Sequence, residues 1–150
     1  MAKDKRLHTA LIASYSAHKN TSMKEFQMLN LTAGQPKVLT ILSRKEGYLQ
    51  KDLAKAAHVQ PATMSTLLGN MIEKDLVYKK RKSVSGGKRA FAIYLTDRGR
   101  LMAREVNKIV DAMEEASFQN FDESEKEQLI DLLWRIHNNF TSSNAISLFK

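Results

Sequence analysis

Apolar residues recur at helical spacing through most of this chain and switch to alternation in a single stretch. Leu7, Leu11, Ile12 and Tyr15 share one helical face, predicting a helix over residues 5 to about 18. The polar run at residues 19–22 breaks that pattern, and helix is expected to resume through Phe26 and Leu29. Thr32 and Gln35 have the spacing of a capping box: the threonine hydroxyl accepts from the Gln35 amide, while the Gln35 side chain reaches back to the Thr32 N–H. A helix follows with Val38, Leu39, Ile41 and Leu42 inward, and Gly47 is expected to end it near Glu46. A short helix over residues 51–57 has Leu53, Ala54 and Ala57 as its apolar face.

His58, Val59 and Gln60 then turn into a helix that opens at Pro61, a first-turn position where its missing N–H and fixed φ cost little. Met64, Leu67, Leu68, Met71 and Ile72 form its apolar stripe, running to about residue 74. The opposite face is mostly small: Ala62, Thr66, Gly69, Asn70 and Glu73, flanked by Thr63 and Ser65. Surface helices usually carry Lys, Glu, Arg or Gln at such positions, because those residues favour helix and dissolve well.

Leu76 and Tyr78 begin a strand, which the cations Lys79, Lys80, Arg81 and Lys82 are expected to end. Residues 83–88 make the tip of a hairpin, with Gly86 and Gly87 letting it bend, and Arg89, Phe91, Ile93 and Leu95 share one face of the returning strand. Thr96 and Asp97 start a long helix towards Ser117, with Met102, Val106, Ile109, Val110 and Met113 inward. Asp122 and Glu125 start the last helix, where Leu129, Leu132, Leu133, Ile136 and Phe140 form a stripe widened by Ile130 and Trp134. A terminal helix of a monomer should keep one wet face, so this breadth points to a second copy of the chain. The chain thus reads as mainly α with one small β-hairpin.

Charge sharpens the picture. The formal charge is +8 over 150 residues, divided as +3 over residues 1–31, +9 over 32–100 and −4 over 101–150. A positive middle raises the local concentration of a polyanion, nucleic acid first and an anionic membrane surface second. There is no cysteine, hence no disulfide, thiolate chemistry or Cys-based zinc site. The apolar runs are too short to span a bilayer and the first residues lack a secretory signal, so a cytoplasmic protein is expected, without membrane attachment. His8, His18, His58 and His137 show no ligand spacing, and no Ser-His-Asp order, phosphate loop or HExxH occurs. Neither an enzyme nor a metal or cofactor is expected.

Helix, short helix, turn, helix and basic-tipped hairpin is the order of a winged helix-turn-helix. The second helix must enter a major groove about 12 Å wide, and a slim face lets its backbone approach the base edges. Thr63, Ser65, Thr66 and Asn70 supply hydrogen-bonding groups, and the cationic tip can cross the phosphates to the neighbouring minor groove.

At these residues the chain resembles the MarR-type transcriptional regulators. The likeness spans nearly the whole length and rests on LTAGQ at 31–35, LAKAAHV at 53–59, IEKDLVYKK at 72–80 and GKRAFAIYLTDRG at 87–99. It implies a homodimer of interlocked N- and C-terminal helices, placing two winged domains on a pseudo-palindromic operator in double-stranded DNA. It also implies a small aromatic or anionic effector seated between the winged domain and the dimer helices; repression by occupying the operator is the role expected of the chain. By the same resemblance Arg89 enters the minor groove, and Gln60 to Thr66 meet the major groove. The chain departs from the family twice: Gly87 stands where an aspartate usually braces the wing arginine, and Thr66 where the recognition helix commonly has arginine.

Residue chemistry and resemblance together give a DNA-binding set of Gln60, Pro61, Ala62, Thr63, Ser65, Thr66 and Asn70 on the helix, and Arg81, Lys82, Ser83, Ser85, Lys88 and Arg89 on the hairpin. Dimerisation is assigned to Leu7, Leu11, Ile130, Leu133, Trp134, Ile136 and Phe140. The expected organisation is an N-terminal dimerisation region at 1–31, a DNA-binding domain at 32–99 and C-terminal dimerisation helices at 100–150. Two rivals use the same features: an architectural protein that grips DNA without reading bases, and a winged-helix adaptor that docks proteins.

Overall fold

The computed structural model describes residues 3–142 and 148, so the extreme ends of the two terminal regions lie outside the described residues. The chain packs as two compact units, Met1–Met113 and Glu114–Lys150. Among the described residues it forms six α-helices and one small antiparallel sheet.

Helix α1 (Leu7–Met28) is continuous, contrary to the expected break at residues 19–22. The polar side chains there bond back into the helix: the Thr21 hydroxyl donates to the Ala17 carbonyl at 2.8 Å and the Ser22 hydroxyl to Lys19 at 3.1 Å. Such bonds satisfy the side chains without diverting the backbone. Ahead of α1, Asp4 accepts from the Thr9 hydroxyl and the Arg6 N–H, which together hold its carboxyl below the usual carboxylate range.

Helix α2 (Gln35–Arg44) starts two residues later than a capping box at Thr32 requires. Gly34, at φ +90°, is the residue before the first helical position, and the Gln35 N–H donates to the Thr32 carbonyl rather than to its hydroxyl. The reciprocal half is present, since the Thr32 N–H donates to Gln35 Oε1 at 3.0 Å. That oxygen also accepts from the Lys74 ammonium at 3.0 Å, which fixes the orientation of the buried amide and leaves its Nε2 without a partner among the described residues.

Helix α2 ends at Arg44, earlier than Gly47 suggested, because the chain enters a strand that spacing did not reveal. Strand β1 is only Tyr48–Leu49, and the Gly47 N–H already donates to the Ile93 carbonyl at 2.8 Å. Helices α3 (Gln50–Ala56) and α4 (Pro61–Glu73) follow, then β2 (Val77–Ser83) and β3 (Arg89–Leu95). The sheet order is β1-β3-β2, with Tyr48 opposite Ile93 and Val77 opposite Leu95. Helices α1, α3 and α4 each terminate through a left-handed residue that is not glycine: Asn30, His58 and Asp75. In each case the next N–H returns to a carbonyl five residues back, closing the helix end.

Leu39, Leu53, Met64, Leu68 and Ile93 are fully buried where α2, α3, α4 and the sheet converge. Each such side chain contributes about 1.5–3 kcal/mol on burial, so this cluster fixes α4 and the hairpin within the first unit. Ile72, expected in the same stripe, is 40% exposed; it lies at the edge of the stripe, beside the fully buried Met71.

Helix α5 (Asp97–Ser117) begins as expected, with the Gly99 N–H donating to the Thr96 hydroxyl oxygen at 2.9 Å. Helix α6 (Glu123–Thr141) carries both bonds of the Asp122–Glu125 capping box. No side chain of α6 is buried: Ile130, Leu133, Trp134 and Phe140 are all exposed, and Ile136 is half-buried. On α1, Leu7 and Leu11 are likewise exposed. No helix among the described residues is long and apolar enough to cross a membrane.

Candidate nucleic-acid interface

Pro61 occupies the first position of α4 with Gln60 as its N-cap, as its fixed φ favours. Met64, Leu67, Leu68 and Met71 turn inward, so the other side of the helix is forced outward. Gln60, Pro61, Ala62, Thr63, Ser65, Thr66, Gly69 and Asn70 are all exposed. One hydroxyl is partly committed: Thr66 Oγ1 donates to the Ala62 carbonyl at 3.2 Å, leaving its lone pairs to accept from a base.

Strand β2 runs through the cations rather than stopping before them, because β3 supplies partners along its length. The pairing sets Lys79 opposite Ile93, Arg81 opposite Phe91, Lys82 opposite Ala90 and Ser83 opposite Arg89. Alternation then sorts the side chains. Lys79, Arg81, Arg89 and Phe91 continue the face that carries Val77, Ile93 and Leu95 into the core. Lys80 and Lys82 project from the other face, which also holds the stacked rings of Tyr78 and Tyr94, 5.5 Å apart.

The tip closes with the Val84 N–H donating to the Lys88 carbonyl at 2.9 Å around a single 3-10 turn at Ser85–Gly87. Gly86 and Gly87 adopt φ +81° and +71°. Gly87 adopts this left-handed conformation at no steric cost and brings no carboxylate to brace the wing arginine. Arg81, Lys82, Ser83, Ser85, Lys88 and Arg89 are exposed, and no ion pair among the described residues includes a wing cation.

Two features escaped the sequence. Phe91 is 42% exposed, with two cations over its ring; only the strand register reveals that neighbourhood. Two open grooves also flank α5, of about 420 and 440 Å³. Arg98, Leu101, Met102 and Arg104 line the first, Met28, Ile109 and Met113 the second, and Leu29, Glu105 and Lys108 border both. Met64 and Met71 are core, as spacing suggested; Met102 packs against that core while also lining the first groove, and Met113 lines the second.

Helix α3, a tight turn, α4 and a cation-tipped hairpin in one unit define a winged helix-turn-helix protein. Residues 31–86 match the model of the MarR family. No curated protein matches it. Among solved structures, MepR of S. aureus bound to DNA is 24% identical over 91% of this chain and 99% of its own, with a TM-score of 0.81. A putative MarR-family regulator of Listeria monocytogenes, complexed with a 26mer DNA, is 22% identical over 91% and 90%, with a TM-score of 0.82. BpsR of Bordetella bronchiseptica, whose DNA binding is regulated by 6-hydroxynicotinic acid, is 19% identical over 92% and 97%, with a TM-score of 0.80. At these identities the likeness is one of fold.

Proposed function

We propose that this protein is a cytoplasmic transcriptional regulator that binds a pseudo-palindromic DNA site as a homodimer and represses by occupying it. The observation that carries this reading is the pairing, within one unit, of a small-faced exposed helix with a hairpin bearing six cations and no acid between residues 76 and 96. Lys79, Lys80, Arg81, Lys82 and Lys88 would supply affinity for any duplex, falling steeply with salt. Residues of α4 from Gln60 to Thr66, with Asn70, would discriminate bases by about 1–3 kcal/mol per good contact. Residues 32–99 form the reading head in this scheme, and the exposed apolar faces of α1 and α6 join two copies. The DNA-bound relatives of the same fold support the assignment.

The groove lined by Arg98, Leu101, Met102 and Arg104 combines apolar walls with guanidinium groups, which suits a small aromatic anion. BpsR supports such control by example. An effector there must favour one spacing of the reading heads over another, because equal affinity for both shifts nothing. Selection of bound sequences from random duplexes, with light scattering on the purified chain, tests the reading. A symmetric consensus with half-sites about one helical turn apart, bound by a dimer, is expected. A monomer that grips every duplex equally would overturn it in favour of an architectural protein.

A further inference from the structure

We propose that Phe91 is a positioning residue for the wing: its ring holds Lys79 and Arg81 side by side, so that both charges meet the phosphate backbone already ordered. This rests on the DNA-binding reading above. Lys79 Nζ stands 5.3 Å from the centre of the Phe91 ring and Arg81 Cζ 5.9 Å from it. Both fall within the range at which a ring face attracts a cation. The strand register makes this unavoidable, since Arg81 lies directly across from Phe91 and Lys79 lies diagonally on the same face.

An exposed phenylalanine alone would mean little, because single apolar residues are common on surfaces. Here the charge balance gives it a task. Six cations crowd between residues 79 and 89, no Asp or Glu occurs from residue 76 to 96, and Gly87 excludes a bracing carboxylate at the tip. Mutual repulsion would splay long, flexible side chains and leave their ordering to the moment of binding. A ring is the one group in the wing that attracts two cations without neutralising either, so the full charge remains available to DNA. Leu fills the same strand position without a π face, and Tyr keeps the face.

The test is a salt-dependent binding titration of wild type, Phe91→Leu and Phe91→Tyr against a labelled random-sequence duplex, repeated in a Lys79→Ala/Arg81→Ala background. Phe91→Leu should weaken binding by about three- to tenfold with an unchanged salt slope, and Phe91→Tyr should stay within about twofold of wild type. The Lys79→Ala/Arg81→Ala pair should flatten the salt slope by roughly two phosphates' worth, and Phe91→Leu should cost nothing further there. Wild-type affinity in Phe91→Leu, equal losses for Leu and Tyr, or the same loss without the two cations would each overturn the proposal. Upfield shifts of the Lys79 side-chain methylene protons, lost in Phe91→Leu, report the ring contact independently of DNA. A wild-type chain that binds no duplex sinks the DNA-binding reading and this proposal together; a failure confined to the Phe91 variants sinks the positioning role alone.

Discussion

Glu46 accepts the Leu95 N–H through Oε1 at 2.7 Å, so a side chain takes the place of a third strand where β1 is too short to reach. The same carboxylate meets the Arg100 guanidinium at 3.3 Å, joining the base of the wing to the first turns of α5. Glu46→Ala should cost about 1–2 kcal/mol in urea denaturation, discounted for partial exposure. Glu46→Gln can still accept from Leu95 and should lose less than about 1 kcal/mol; equal losses would show that the ion pair matters more than the backbone bond.

Gly99 lies under the turn that joins α4 to β2. A Cβ there would stand 1.9 Å from the Leu76 carbonyl oxygen, which already accepts the Thr96 N–H at 3.1 Å. Backbone cannot yield as a side chain can. Gly99→Ala should therefore destabilise the fold by at least about 2 kcal/mol, read as a lowered denaturation midpoint.

Gly69 is the opposite case, with nothing within 4 Å of an added Cβ. Gly69→Ala should stabilise α4 by about 0.5–1 kcal/mol. A duplex titration on the same sample then shows whether DNA feels the methyl group. Loss of affinity alongside that gain in stability marks the glycine as clearance for the groove.

Arg89 sits at the mouth of the tip, opposite Ser83 and exposed. Arg89→Ala should lower affinity for a selected site about tenfold or more, a loss of roughly 1.4 kcal/mol or above, with thermal stability and assembly unchanged. A gel-shift titration indistinguishable from wild type would remove the wing from recognition.

Trp134 is 54% exposed on a helix with no buried residue. Tryptophans in such faces are frequent hot spots once covered. In the proposed dimer, Trp134→Glu should raise the dissociation constant by roughly 30-fold or more, followed by sedimentation, while helix content is retained. A variant that remains fully dimeric would place the contact elsewhere.

Helix existence and type were legible in the sequence because Val38, Leu68, Val106 and their neighbours repeat with the period of a helix. What escaped was set by partners remote in the chain. Strand β1 is two residues long, too short to alternate, and exists only because β3 accepts it. The ends of α1, α3 and α4 carry Asn30, His58 and Asp75 in a conformation that a reader expects of glycine, so no punctuation marked them. The candidate site was legible to the same depth. Small residues on the outer face of α4 and the run of cations are local facts, whereas the ring beneath Lys79 and Arg81 depends on register. Register in turn depends on how many residues the tip consumes.

Strand β1 covers β3 only at Ala92 and Ile93, so the outer half of the hairpin has bare edges on both sides among the described residues. Bare edges invite strand addition by another molecule, and stacked copies of a short hairpin are a route to insoluble fibres. Lysines on such a margin repel an identical neighbour. A wing stripped of its charge should therefore first show itself in the expression host, as protein in the pellet.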